Sequence, residues 1–286
     1  MIGPRRAKTT CGLALAAAML VLPAMAEPIP KHVFRVCQDP NNLPFSNLAG
    51  EGYENKIAEV FARDLDLPLE YFSFPQRLAF VRNTLRYKLP GSDYRCDIMI
   101  GVPAGYDQVS ATKPYYRSTY AMVFPKHHGL DGVHSTADLL KLDPARLKAL
   151  KIGLFDRSPV SQWLVRHDLV DQGVPYLQMN PSPDSPSAPI AEDLASGKLD
   201  LAILWGPLAA YMAHSIHGQE MVVVPMQSEP GVVFDYAMAM GVRYGEPEWK
   251  AQVQGLIDKH QGDIRAILKT YGVPMLPIQP AAGAGR

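Results

Sequence analysis

Short apolar runs typical of β-strands alternate along this chain with segments of helical periodicity. Residues 33–37 have the sequence Val-Phe-Arg-Val-Cys and are followed by residues 53–65, whose apolar side chains recur at helical spacing. Residues 76–87 are predicted to be helical as well, and a second strand–helix series begins at residues 150–154. Strands that alternate with helices are typical of α/β folds, in which helices cover the sheets. The sequence therefore predicts an α/β protein.

The second strand–helix series interrupts the first, which indicates two lobes. Residues 118–125 have the pattern of a strand that leaves the first sheet, and residues 232–242 are an apolar run long enough to return to it. We therefore predict a two-lobed fold with two crossover hinge strands. The first lobe is expected to comprise residues 27–120 and 238–286, and the second lobe residues 121–237.

The first 26 residues have the pattern of a secretory signal peptide. Three cationic residues precede an apolar run, residues 11–22, and Ala24-Met25-Ala26 supplies the small residues of a cleavage site. A membrane anchor is the alternative, but a spanning helix needs about 20 apolar residues and this run is shorter. We therefore expect a signal peptide over residues 1–26, cleavage after Ala26, export to the periplasm and no membrane insertion.

The charge balance excludes one large class of function. The chain has 28 Lys and Arg residues against 28 Asp and Glu residues, so it offers no excess of basic surface for a polyphosphate. Nucleic acid is therefore not an expected partner. Hydrophobic residues make up 47% of the chain, which is enough to fill a core and argues against disorder.

Two cysteines remain after the predicted cleavage. Cys37 and Cys96 each lie on a short strand-like run, 33–37 and 96–100, which could be neighbours in a parallel sheet. In an exported protein such a pair is a candidate disulfide, and two reduced core thiols are the alternative. No C-x-x-C spacing is present, and the histidines have no recognised ligand spacing. We therefore predict no metal site and no cofactor.

Four segments carry a resemblance to a known family. They are Asp97-Ile98-Met99-Ile100, the segment 112–116 with its Pro-Tyr-Tyr, the segment 197–201 (Gly-Lys-Leu-Asp-Leu), and the closing segment 271–274 (Tyr-Gly-Val-Pro). In this order the chain resembles the amino-acid-binding branch of the type II periplasmic solute-binding proteins. The resemblance implies their two-lobed fold over nearly the whole mature chain.

Two departures from that family concern its ligand contacts. The family holds the ligand carboxylate with an Arg, because the planar guanidinium matches a carboxylate bidentately. At the corresponding position this chain has Asp107, which reverses the charge. The family receives the ligand amino group with an Asp where this chain has Trp205-Gly206-Pro207. The sequence therefore argues against a receptor for ordinary amino acids.

Three other segments, residues 39–47, 50–58 and 204–209, resemble the MxaJ/XoxJ proteins. The resemblance implies a non-catalytic periplasmic accessory protein that assists or activates a pyrroloquinoline-quinone (PQQ)-dependent methanol dehydrogenase of the XoxF/MxaF type. The cytochrome c of that dehydrogenase is a further candidate partner. The alternative is a substrate-binding receptor of an ABC transporter for a small non-amino-acid solute. An enzyme is not predicted, because no recognised catalytic motif is present.

The candidate cleft residues begin in the loop after the first strand. Asp39, Asn41, Asn42 and Phe45 follow a strand at its carboxyl end, where open α/β sheets bind ligands. The same residue types also form ordinary turns, which is the alternative for this loop.

Four further residues complete the predicted cleft or partner-binding set. Glu54 and Asn55 start the next helix, where an acid is also favoured by the helix dipole. Asp107 could face the cleft or form an ion pair with Lys113. Trp205 could be a cleft platform, a contact for a protein partner, or part of the packing between the lobes.

Overall fold

The computed structural model of the 286-residue chain describes Gly3 and residues 31–76, 79–178 and 185–278. Apart from Gly3, the predicted signal peptide lies outside the described residues. The strands are β1 (Phe34–Gln38), β2 (Asn41–Asn42), β3 (Ser46–Asn47), β4 (Leu69–Ser73), β5 (Met99–Pro103), β6 (Ser110–Ala111), β7 (Tyr116–Pro125), β8 (Ile152–Phe155), β9 (Gly173–Tyr176), β10 (Leu201–Trp205), β11 (Met221–Pro225) and β12 (Asp235–Val242). The helices are α1 (Tyr53–Leu65), α2 (Phe80–Asn83), α3 (Thr136–Leu140), α4 (Pro144–Ala149), α5 (Pro159–Arg166), α6 (Ala188–Ala195), α7 (Gly206–Ser215), α8 (Pro247–Lys259) and α9 (Gln261–Thr270), with a 3-10 helix at Val170–Gln172.

The main sheet of the described chain has eight strands and is built around β7 and β12. Its order is β5-β12-β7-β10-β8-β9, with β6 paired to β12 and β11 paired to β7. The first part of β7, residues 116–119, pairs antiparallel with β12, and the remainder pairs with β10 and β11. β12 in turn pairs with β5. The two predicted crossover strands are therefore confirmed, and they lie side by side; the predicted lobe boundaries stay a prediction.

One half of the molecule is built on the parallel pair β1 and β4. A single parallel bridge between Val36 and Ile98 brings the segment before β5 to the other side of β1. Phe34, Tyr53 and Trp249 are buried between this small sheet and helices α1, α8 and α9. The predicted helix over residues 53–65 is confirmed by α1, whose apolar face supplies much of this core.

The other half buries both faces of the strands β7, β8 and β10. Along β10, Leu201 and Ile203 pack into a core with Trp163 of α5, whereas Ala202 and Leu204 pack on the opposite side. This alternation follows from the two-residue period of a strand. A strand buried on both faces has a continuous apolar sequence, which is what residues 201–205 of β10 show.

The predicted disulfide is present and joins β1, which contains Cys37, to the segment before β5, which contains Cys96. Cys37 and Cys96 are both buried, and their Cα atoms are 5.2 Å apart. The buried Arg243 fixes the segment next to the bridge: it donates to the carbonyl of Cys96 and to Oδ1 of Asp97, the latter at 2.6 Å. Lys31 also contacts Asp97, at 2.9 Å. A buried arginine needs such partners, because an unpaired buried charge is strongly destabilising.

Two sequence-based expectations were wrong. The helix predicted over residues 76–87 is only the four-residue α2, because Ala79 has a left-handed backbone (φ 66°) and Thr84 leaves the helical conformation (φ −122°, ψ −86°). Residues 77 and 78 lie outside the described chain. The strand expected to begin at Cys96 begins instead at Met99, since the carbonyl of Cys96 and the side chain of Asp97 bind Arg243.

Replacing both Cys37 and Cys96 by Ser is expected to lower the free energy of unfolding by about 2–5 kcal/mol, because the bridge closes a long loop in the unfolded chain. The cysteines are 59 residues apart in sequence. Urea unfolding of the oxidised proteins measures the difference. Dithiothreitol should lower the midpoint of the wild type and leave that of the double variant unchanged; equal midpoints for the two oxidised proteins would contradict the prediction.

Candidate functional site

A cavity of about 510 Å³ lies between the two halves of the described chain. From the half that contains β1 and α1 it is lined by residues of the first loop, of α1 and of β5. The other half contributes Phe155, Trp205 and Leu208, and the crossover strands contribute Tyr120 and Met238. A concave, largely apolar space with a few polar groups is the usual form of a binding site.

The start of α1 is held against the loop between β2 and β3. The backbone N–H of Tyr53 donates to the carbonyl of Pro44 at 2.8 Å, and that of Glu54 donates to the carbonyl of Phe45 at 2.9 Å. Gly52 permits this approach, because a Cβ atom there would lie 2.0 Å from the Phe45 carbonyl oxygen. The loop carbonyls therefore satisfy the first amides of the helix, and both Phe45 and Glu54 line the cavity.

Asn55 holds this loop in place by hydrogen bonds from its side chain. Its side chain is buried, accepts from the backbone N–H groups of Asn47 and Gly52, and donates to Gln38 at 2.7 Å. Because its side chain is used in these hydrogen bonds within the protein, Asn55 does not line the cavity. Its place in the structure is that of a helix-start residue that positions its neighbour Glu54.

Asp39 holds the first part of the loop, before β2, by hydrogen bonds to its carboxylate. Its carboxylate accepts the backbone N–H of Asn41 at 2.8 Å and the backbone N–H of Gln76. The side chain of Asn42 donates to Oε1 of Gln76 at 2.9 Å, which ties the loop to the segment before α2. These hydrogen bonds fix the position of the Asp39 carboxylate, which lines the cavity together with Asn42.

The carboxyl group of Glu54 has no hydrogen-bond donor among the described residues. It lies over Gly101 of β5, where a Cβ atom would be 2.2 Å from its Oε1. Burial, together with the negative charge of Asp39, raises the pKa of Glu54 to about 7. Both causes disfavour the charged form. Near neutral pH the cavity therefore contains a carboxyl group that is divided between its acid and its carboxylate forms.

Aromatic side chains also line the cavity, among them Tyr120, Phe155 and Trp205. Trp205 packs edge-on against Tyr120 and Tyr236, with ring centroids 5.7 and 5.9 Å apart. Behind it, the hydroxyl groups of Tyr53 and Tyr116 are 2.9 Å apart in the core. Burial, opposed by hydrogen bonds to Tyr53 and Trp205, raises the pKa of Tyr116, so this pair stays neutral. Trp205 thus both lines the cavity and packs against the crossover strands.

The structure brings together five of the eight predicted site residues. Asp39, Asn42, Phe45, Glu54 and Trp205 all line the cavity. The other three lie outside its lining.

Asn41 is exposed on β2, and Asn55 is buried beneath the loop. Asp107 is exposed; its backbone carbonyl accepts from Tyr244 at 3.1 Å, and it makes no ion pair with Lys113.

Several lining residues were not predicted from the sequence, chiefly Gln76, Gly101, Tyr106 and Phe155. Gly101 carried a usable signal, because a glycine inside a strand often marks a close approach by another group. The other three have no local pattern that separates them from core or loop residues. In the described ranges, no group of three or more His, Cys, Asp or Glu side chains could hold a metal ion. Within the same ranges, no helix is long and apolar enough to cross a membrane.

Replacing Glu54 by Gln should stabilise the protein at pH 8 and leave its stability near pH 4.5 unchanged. The folded state raises the pKa of Glu54 from 4.5 to about 7, so the wild type loses stability as the pH rises between these values. The whole shift corresponds to about 3 kcal/mol at most. Thermal unfolding at both pH values measures the difference. The control is Glu59→Gln on the same helix, where the Glu59 carboxylate lies 2.9 Å from Nζ of Lys56. An equal gain in melting temperature at pH 8 in the control would contradict the prediction. So would the absence of a gain in Glu54→Gln.

Comparison with known proteins identifies relatives along nearly the whole chain. No family model matches it. Protein MoxJ of Paracoccus denitrificans is 28% identical over 285 residues, which cover 94% of this chain and 98% of the relative.

Two solved structures are similar as well. The periplasmic binding protein XoxJ from Methylobacterium extorquens AM1 has a TM-score of 0.69 and 37% identity, and the match covers 86% of this chain and 100% of that one. MxaJ from Methlophaga aminisulfidivorans MPT has a TM-score of 0.70 and 25% identity, with coverage of 85% and 100%. These matches confirm the type II periplasmic binding protein fold, and the chain belongs to the MoxJ/XoxJ/MxaJ family of periplasmic binding proteins.

Proposed function

We propose that this protein is a non-catalytic periplasmic accessory protein that assists or activates a PQQ-dependent methanol dehydrogenase through contact at the cleft. The observation that carries the proposal is the charge of the cavity. Asp39 and Glu54 line it, and none of the described lining residues is Lys, Arg or His. Among these described residues an amino acid would find no counter-charge for its carboxylate, which a receptor of that class requires.

Apolar side chains beside the cavity support a protein partner. Leu48 is 74% exposed and follows the strand whose Ser46 lines the cavity, and Leu177 is 65% exposed next to the lining residue Gln178. The two leucines belong to opposite halves of the molecule. Exposed apolar groups close to an open cavity are typical of surfaces that bind another macromolecule.

The family relationship supports the proposed location. XoxJ is described as a periplasmic binding protein, and the segment over residues 1–26 is predicted to direct export. A protein in that compartment could meet an exported dehydrogenase and its cytochrome c directly. The disulfide between Cys37 and Cys96 fits an oxidising compartment.

A receptor for a small cationic solute is the second candidate. The same two carboxylates favour a cation, and the cavity volume of about 510 Å³ is in the range of small-molecule sites. A thermal-shift screen separates the candidates, because a tightly bound solute raises the melting temperature by mass action. A large shift with one free solute would favour the receptor.

Binding to the purified dehydrogenase tests the leading proposal. We expect the wild-type protein to bind the dehydrogenase and to change its activity on addition. The double variant Leu48→Ser/Leu177→Ser should bind roughly tenfold more weakly, or about 1.4 kcal/mol, because it removes apolar contacts at the mouth of the cavity. The matched control is Val170→Ser, since Val170 is 56% exposed and does not line the cavity.

Surface plasmon resonance gives the affinities, and a dye-linked assay gives the activity. No binding and no change in activity with the wild type would overturn the proposal. Binding that is weakened equally by the control substitution would place the contact elsewhere on the surface.

A further inference from the structure

We propose that the cavity binds an organic cation, an ammonium or guanidinium group on an apolar stem, with the Glu54 carboxylate as its counter-ion. The starting point is the unsatisfied carboxyl group. Glu54 is half-buried, lines the cavity, and receives no hydrogen bond from any described residue. Its carboxyl group is therefore open to a counter-ion from a ligand that fills the cavity.

The local backbone does not supply that partner. Glu54 lies in the first turn of α1, where free amides often stabilise an acid. Here the amides of Tyr53 and Glu54 donate to the carbonyls of Pro44 and Phe45 instead. The carboxyl group is left facing the cavity, over Gly101, without help from its own helix.

Asp39 fixes the sign of the ligand charge. Its carboxylate accepts hydrogen bonds from two backbone N–H groups, and its negative charge lies close enough to Glu54 to oppose ionisation there. Among the described lining residues no basic side chain compensates these two acids. A cation would be attracted to both, and an anion would be repelled by both.

The rest of the cavity fits an apolar stem rather than a hydrated metal ion. Trp205, Tyr120, Phe155 and Phe45 line it, and aromatic faces attract ammonium and guanidinium groups. Among the described residues, no group of three or more His, Cys, Asp or Glu side chains is placed to hold a metal ion. The chemistry therefore favours an alkylammonium or guanidinium over an inorganic cation.

Two sources could supply that group. The first is a Lys or Arg side chain on a segment of the partner protein, which rests on the function proposed above. The second is a free amine. Both present the same charged group to Glu54, so one titration experiment with two kinds of probe distinguishes them.

Isothermal titration calorimetry of the full-length mature protein at pH 8 tests the proposal. The probes are the peptide acetyl-Leu-Lys-Leu-amide, its Gln counterpart, n-hexylammonium and n-hexanol. We expect at least one cationic probe to bind at least tenfold more tightly than its uncharged counterpart. Glu54→Gln should weaken that binding by tenfold or more, whereas the control Glu59→Gln should leave it unchanged.

Proton release supplies a readout that a structural role would not produce. A bound cation favours the charged form of Glu54, so binding near pH 7 should release a proton into the buffer and affinity should rise from pH 6 to pH 8. Titration in two buffers with different ionisation enthalpies measures that proton. The release should disappear in Glu54→Gln.

A second variant distinguishes loss of the cation site from a folding defect caused by Glu54→Gln. Gly101→Ala keeps every charge but places a methyl group on the position of the Glu54 carboxyl group, so it should weaken cation binding as well. Near-ultraviolet circular dichroism and the melting temperature of each variant establish that it is folded.

Binding of n-hexylammonium alone supports the site with a free amine as its ligand, and binding of the Lys peptide supports a partner side chain. Equal binding of charged and uncharged probes, no binding of either cation, or full binding by Glu54→Gln overturns the proposal. None of these titrations contains the dehydrogenase. A negative result in them therefore overturns the cation site alone, and the accessory function is tested separately by binding to the purified dehydrogenase.

Discussion

The antiparallel pairing of β7 with β12 is the interaction on which the rest of the structure depends. These two strands are the crossovers between the halves, and they pair with each other over residues 116–119 and 235–238. An ion pair between Arg117 and Asp235, with Nε and Oδ2 2.9 Å apart, joins them side chain to side chain. Met238, within this pairing, and Tyr120, next to it, line the cavity. The same strand pair thus connects the two halves and forms part of the wall of the cavity between them.

The position of Glu54 follows from packing on that frame. The loop that contains Phe45 takes the first amides of α1, and Gly52 and Gly101 allow close approaches that any side chain would block. The result is a half-buried carboxyl group beside a second carboxylate, an arrangement that disfavours its charged form. Residues that lower stability in this way are characteristic of functional sites. This unfavourable pairing fits the cation-binding role proposed for Glu54.

The sequence predicted much of the fold because several segments carry strong local patterns. The amphipathic period of α1, the continuous apolar run of β10 and the cysteine pair each specify their own structure. The expected helix over residues 76–87 was wrong because the backbone at Ala79 and Thr84 leaves the right-handed helical conformation, which the apolar periodicity does not reveal. The site was predicted only in part, since Asn55 and Asp107 lie near cavity residues in sequence but point elsewhere. Which side of a loop a polar residue faces depends on contacts that sequence patterns do not encode.

The central claim is that the cleft between the halves is the surface that engages the dehydrogenase. Hydrogen–deuterium exchange of this protein, alone and in complex with the purified enzyme, tests it most directly. If the cleft engages the dehydrogenase, complex formation should slow exchange in the cleft segments 39–47 and 203–208. Exchange in helix α9, which does not line the cavity, should stay unchanged. A complex that protects only surfaces away from these segments would contradict it.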